Sequence, residues 1–304
     1  MTVESVRARR EPAVAGPGVL RSLVLAARPR QWIKNLLVFA APGAAGVLFQ
    51  PAALARTVVA FVAFCLASSA MYFLNDVQDR VRDAEHPSKR FRPVAAGQLS
   101  PRAAVVAGSV LAVASMLAAI PAGWPLTAAV GGYVVLCLAY TYWLKDVVLV
   151  DVAAVAATFV LRAAAGGLAV SVYLSSWFLL VACFGALFIV VGKRFAEYRA
   201  LGGTRGSHRK TLEDYSEQTL RSMLTSSATV TITAYCLWAF EGLGARNPLG
   251  ALSILPFVLA IYRYSLRREG GACEAPEELF LTDRFLQVAG IAWLLCAGAG
   301  VYVG

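Results

Sequence analysis

Charge is scarce in this 304-residue chain: Asp, Glu, Lys and Arg make up 15% of it, whereas 59% is hydrophobic. A soluble globule has roughly a quarter charged and about half apolar residues, so water is excluded as the main solvent of the fold. Histidine is limited to His86 and His208, both in loop-like stretches, and neither is assigned a proton-transfer role. Cys65, Cys137, Cys183, Cys236, Cys273 and Cys296 show no CxxC spacing and lie mostly in separate apolar blocks, which indicates neither a zinc site nor a disulfide framework. No fixed-period repeat is visible. The short alternating pattern of a membrane barrel is also missing, so strands are not expected. The first 30 residues carry Arg and Glu, and Gly16, Pro17 and Gly18 interrupt their apolar stretch, so a cleaved signal sequence is not expected.

What the chain does have is apolar blocks long enough to cross a hydrocarbon core, which takes about 20 helical residues. Nine are read, at 31–49, 54–75, 102–121, 124–143, 147–170, 173–192, 219–240, 248–266 and 284–303. Irregular backbone cannot face lipid, so each block is expected to be a helix. The expected fold is all-α and polytopic: an amino-terminal segment, 1–30, and one nine-helix membrane domain, 31–304.

Of the 28 Lys and Arg residues, 25 fall on one side of this arrangement, with Arg56 and Arg246 on the other and Arg162 inside a helix. The positive-inside rule makes that side, and the amino terminus, cytoplasmic. The net charge of +10 is thereby placed where anionic lipid headgroups require it, and no nucleic-acid partner is expected. Two long connections on the charged side, 76–101 and 193–218, are the expected functional caps.

The second block ends as NDVQDRVRD, which puts Asn75, Asp79 and Asp83 four residues apart, with Asp76 beside Asn75. On a continuous helix they share a face, and stacked carboxylates favour a cation. Oxygen-only donors suit Mg²⁺, completed by substrate phosphates, so a Mg-diphosphate is the expected ligand. The alternative is that these acids pair with Arg80, Arg82, Lys89 and Arg90 in a solvated loop. The continuation, HPSKRFRPVAAGQLS, adds Lys89 and Arg92 before Pro93, Gly97 and Ser100.

The joined pattern N-x-x-x-D-x-x-x-D, then K-R-x-R-P-x-x-x-G-x-L-S, resembles the UbiA superfamily of intramembrane prenyltransferases, over nearly the whole chain. The resemblance implies a UbiA-type bundle whose central cavity opens to the cytoplasm and laterally to lipid. It also implies that Asn75, Asp79 and Asp83, with Asp76 beside them, hold Mg²⁺ against a diphosphate donor.

Typical members carry a second aspartate-rich motif after helix 6. Here that position reads GKRFAEY, so Lys193, Arg194 and Glu197 replace most of those aspartates. A donor with anionic groups at both ends accounts for the change: its diphosphate goes to the metal, its monophosphate to a Lys and Arg fork. 5-Phosphoribosyl 1-diphosphate fits this description. The segments RPRQWIKN, YTYWLKDVVLVDVAAVAATFVLRA and HRKTLEDYS resemble the decaprenyl-phosphate phosphoribosyltransferase branch of the superfamily. That branch serves the actinobacterial cell-envelope pathway that supplies arabinose.

The expected catalytic residues are therefore Asp79, Asp83 and Lys34. Expected substrate contacts are Arg30, Lys34, Lys89, Arg92, Tyr142, Lys145, Asp151, Arg162, Lys193, Arg194, Glu197 and Arg209. Arg28, Arg30 and Lys34 either hold a lipid phosphate or anchor the first helix. Asp151 and Arg162, eleven residues apart within helix 5, are functional candidates or a buried polar pair. The expected partners are 5-phosphoribosyl 1-diphosphate, a polyprenyl phosphate and membrane lipid, with homo-oligomerisation left open. An ordinary prenyltransferase and a transporter remain alternatives.

Overall fold

The structure, a computed structural model, describes residues 18–86, 88–201, 210–242, 247–270 and 276–303. Among them the regular secondary structure is helical throughout. Eight helices are long and apolar enough to cross a membrane. They are α3 (Pro51–Gln78), α5 (Pro101–Ala119, extended by a 3-10 turn to Ala122), α6 (Trp124–Tyr142), α7 (Val150–Val170), α8 (Ser176–Leu201), α9 (Glu217–Leu237), α10 (Pro248–Glu269) and α12 (Arg284–Tyr302). The short elements are α1 (Val19–Ala27), α2 (Ala40–Ala44), α4 (Arg80–Glu85) and α11 (Pro276–Thr282).

Local chemistry sets the starts of these helices. Pro51, Pro101 and Pro248 stand at first-turn positions, where the missing N–H costs nothing. Ser100 accepts from the Ala103 N–H, Asn247 from Leu249 and Gly250, and Asp283 from Phe285 and Leu286. The outward faces are apolar: Val106, Val110, Val113 and Leu117 of α5 and Val288, Ile291 and Leu295 of α12 are all more than half exposed. An apolar exterior of this length is a lipid-facing one, and the protein is an integral membrane protein.

The first expected span is corrected. Residues 31–49 do not form one α-helix; Pro29–Phe39 is a 3-10 helix followed by the single turn of α2. With rises of about 2.0 and 1.5 Å per residue, Pro29–Ala44 still covers roughly 30 Å, the thickness of a hydrocarbon core. Tertiary ties hold it in this form. Asn35 is fully buried, donates to Ser68 Oγ and Cys65 Sγ, and accepts from Arg162 Nε at 2.8 Å. Three residues on, the Val38 carbonyl lies so close to Gly166 of α7 that a Cβ there would sit 1.7 Å from its oxygen. Irregular backbone at membrane depth is tolerated when it is enclosed by protein in this way.

Two cores result. Phe64, Met71, Leu126, Val130 and Tyr133 pack α3 against α6 and the 3-10 segment. Phe188, Phe195, Leu220, Leu224 and Tyr264 pack α8 with α9 and α10. The α7–α8 contact joins them, and α3 and α6 pack on the same α7. The charged stretch after residue 193, expected as loop, is helical as far as Leu201.

Candidate active site

The end of α3 does not present its polar residues on one face. The helix breaks at Asp79 (φ −93°, ψ 7°) and restarts as α4. Asn75 and Asp79 turn toward the end of α6: Thr141 donates to Asn75 Oδ1, and Lys145 Nζ lies 3.0 Å from Asp79 Oδ1. Asp76 and Asp83 turn the other way. Arg92 Nη1 reaches Asp83 Oδ2 at 2.5 Å and Asp76 Oδ1 at 3.4 Å, and Arg28 also donates to Asp76 Oδ1. Among the described residues the bonded partners are therefore Arg28, Arg92 and Lys145, supplied by three separate segments, rather than Arg80, Arg82, Lys89 and Arg90 alongside.

Asp76 and Asp83 are 1% and 3% exposed, so their charges are compensated inside the protein. Arg28 sits in the left-handed region (φ 53°) between α1 and the 3-10 helix, stacked over the Tyr72 ring. Burial pushes its pKa below the ordinary value, while Asp76 opposes the shift. Beside it Trp32 donates to Ser69 Oγ, which donates to the Ala27 carbonyl and ties this entry segment to α3.

On α8, Arg194 is 2% exposed and holds Asp151 Oδ2 at 3.1 Å through Nε and Glu197 Oε2 at 2.9 Å through Nη1. Lys193 is half-exposed, 3.8 Å from Glu197 Oε1. Lys89 lies within electrostatic reach of both sides. Its surface is exposed, yet it lies against enough protein that partial burial lowers its pKa. Arg92 and Lys193 reinforce that shift, and Asp83 and Glu197 oppose it. The acidic end of α3 and the basic end of α8 therefore belong to one electrostatic neighbourhood.

Several expected contacts are placed differently. Asp151 and Arg162 are not a pair: Asp151 is wholly buried against Arg194, Tyr215 and Thr211. Arg162 bonds Asn35, Tyr133 and Thr158, with no carboxylate partner among the described residues. It anchors the 3-10 segment and, at 4% exposure, is closed to substrate. Lys34 Nζ bonds Gln31, while Arg30 and Tyr142 are exposed near the rim. Arg209 lies outside the described residues. Sequence reasoning missed the Arg28–Asp76 pair, the Thr141–Asn75 bond and the joint engagement of Tyr215 with Leu149 and Asp151. Only the last had a signal, in the segment HRKTLEDYS.

The donor chemistry at the end of α3 fits Mg²⁺: every group is an oxygen, and Asp76 Oδ2 is buried without a hydrogen-bond partner. The carboxylates are drawn apart onto their cations, so no three His, Cys, Asp or Glu side chains converge on a metal position among the described residues. Two cavities lie away from this centre. One, of about 400 Å³, lies between α9 and α10 beside Thr225, Thr229 and Tyr262. The other, of about 280 Å³, is apolar and lies among α8, α10 and α12 beside Phe188, Phe257 and Trp293.

The chain is 42% identical to the decaprenyl-phosphate phosphoribosyltransferase of Mycobacterium tuberculosis, over 94% of this chain and 96% of the relative. It is 39% identical to the enzyme of the same name from Corynebacterium glutamicum, over 99% of this chain and 92% of the relative. In fold it matches a UbiA homolog from Archaeoglobus fulgidus bound to GPP and Mg²⁺, with a TM-score of 0.73 at 17% identity, covering 93% of this chain and all of that one. The UbiA prenyltransferase family model matches residues 36–301, and the chain belongs to that family.

Proposed function

We propose that the protein transfers the 5-phosphoribosyl group from 5-phosphoribosyl 1-diphosphate to a polyprenyl phosphate, and that decaprenyl phosphate is the acceptor. The observation that carries this reading is a carboxylate centre at the end of α3 with Lys89 beside it, close enough to feel both Asp83 of that centre and Lys193 and Glu197 of α8. A donor anionic at both ends fits such an arrangement, whereas a prenyl diphosphate has one charged end. The names of full-length relatives at 39–42% identity support it.

Asn75, Asp76, Asp79 and Asp83 would hold Mg²⁺, which supplies charge neutralisation for the departing diphosphate. Lys145 and Arg92, already beside those carboxylates, hold the same region electrostatically. The bond from ribose carbon 1 to the diphosphate oxygen breaks, a bond from carbon 1 to an acceptor phosphate oxygen forms, and diphosphate leaves. Positive charge grows on the sugar ring as in glycosyl transfer. The acceptor phosphate is already ionised near neutral pH, so no general base is needed. The apolar crevice that includes Phe188, five residues before Lys193, lies apart from the α3 carboxylates but beside α8, and offers a place for the isoprenoid chain. The charged end of the bundle faces the cytoplasm of the cell (inner) membrane, with the amino terminus on the same side, consistent with cell-wall arabinan precursor synthesis.

The test is incorporation of label from phosphoribosyl diphosphate into polyprenyl phosphate by purified protein. Transfer that needs Mg²⁺ and falls at least about 100-fold in Asp79→Asn is expected. Incorporation only from a prenyl diphosphate would reject the reading in favour of ordinary prenyl transfer.

A further inference from the structure

Asp151, wholly buried, and Tyr215, 4% exposed, are shut off from any substrate, yet they join three segments that carry site residues. The Tyr215 hydroxyl accepts from the Leu149 N–H at 2.8 Å and donates to Asp151 Oδ1 at 3.0 Å. Thr211 Oγ1 donates to Asp151 Oδ2 at 3.4 Å, on the oxygen that also accepts from Arg194 Nε. The strap 211–215 is thus fastened at both ends to the start of α7, and Thr211 and Leu212 are each 1% exposed.

Leu149 is the point under strain. It is a non-glycine residue at φ 66°, ψ −39°, joining the 3-10 turn Leu144–Asp146 to α7. A bulky side chain at positive φ costs on the order of 1–3 kcal/mol and persists only where its surroundings impose it. The Tyr215 hydroxyl bonds its N–H, so this geometry is held from outside the connection. Four residues earlier, the same connection presents Lys145 to Asp79 at 3.0 Å. Burial raises the Tyr215 phenol to about 12, so it stays protonated, able to donate to Asp151 throughout the working pH range.

We infer that Tyr215 is a positioning residue for phosphoribosyl transfer: by bonding Leu149 and Asp151 together, it holds Lys145 against Asp79 at the metal and diphosphate end of the site. This rests on the proposed reaction for its kinetic readout but not for its structural one. Removing the hydroxyl in Tyr215→Phe leaves the ring in place, the Leu149 N–H without its acceptor and Asp151 with one donor fewer. The kcat/KM for donor is expected to fall at least about 10-fold with the acceptor KM unchanged, corresponding to about 1.4 kcal/mol. Because Tyr215 acts through Lys145, the same substitution in a Lys145→Gln background is expected to add less than about twofold.

Hydrogen exchange of the peptide spanning residues 145–150 reads the latch without turnover, and its protection is expected to drop in Tyr215→Phe. Full additivity of the two substitutions overturns the inference, as does unchanged protection at Leu149. An equal rise of both substrate KM values also overturns it, since that is what a loosened bundle gives. If wild-type protein transfers no phosphoribose at all, the reaction assignment fails, and the exchange experiment still decides whether the latch exists.

Discussion

Arg194 places its Nε 3.1 Å from the carboxylate of Asp151, both sealed inside the bundle, while the neighbouring Lys193 remains half-exposed. The two adjacent cations thus have different duties. Lys193→Ala is expected to raise the donor KM more than the acceptor KM, with little change in melting temperature. Arg194→Ala leaves Asp151 buried without its cation, a loss of about 3–5 kcal/mol, and is expected to lower the yield of folded protein before any kinetic effect is measurable. Steady-state kinetics beside thermal melting in detergent separate the two, and a Lys193 effect on the lipid substrate alone would mean the substrates are exchanged.

Gly166 is required by backbone contact. A methyl group there would stand 1.7 Å from the Val38 oxygen, so Gly166→Ala is expected to cost about 3 kcal/mol or more by forcing the 3-10 segment off α7. Gly290, with nothing within 4 Å of its added Cβ, is the control, and Gly290→Ala is expected to be neutral or slightly stabilising. Melting temperatures of the two variants check the contrast.

Donor binding is expected to depend on the protonation of Lys89. Partial burial, reinforced by Arg92 and Lys193, holds its pKa below the ordinary lysine value. An anion beside it favours the charged form, so affinity is greatest below the free-state pKa and declines as pH rises through it. The donor KM is therefore expected to rise at a pH lower than an ordinary lysine would give. In Lys89→Arg, which stays charged, that rise is expected to disappear.

Asp283 carries an acid-side prediction. Its pKa is lowered, first by the hydrogen bond from Arg263, which is 2.9 Å from Oδ2 through Nη2, and further by the Phe285 and Leu286 N–H groups it caps. A depressed carboxylate stabilises the fold above its unfolded value and loses that contribution as pH falls through the folded one. Asp283→Asn keeps a capping oxygen but removes the charge. Wild type is expected to melt above the variant at pH 6, with the gap closing as pH falls below about 4.

Eight of the nine membrane blocks were legible because hydropathy over twenty residues reports solvent directly. The first was misread in kind: its composition is apolar, but its 3-10 form depends on Asn35 meeting Arg162 and Val38 meeting Gly166, more than 120 residues away. At the site, the residue types were legible and their partners were not. The spacing of Asn75, Asp79 and Asp83 presumes a continuous helix, and the break at Asp79 splits that set in two. Arg162, eleven residues from Asp151, was a reasonable partner on one helix, but Arg194 on the neighbouring helix is the nearer cation.

The self-neutralised end of α3 has a thermodynamic consequence. A divalent ion that takes oxygens from Asp76, Asp79 or Asp83 adds positive charge beside Arg28, Arg92 and Lys145, leaving the cluster in need of new counter-charge. An anionic donor provides it. Ion and donor therefore each raise the other's affinity by the same factor, and a protein given only one of them gains little from binding it.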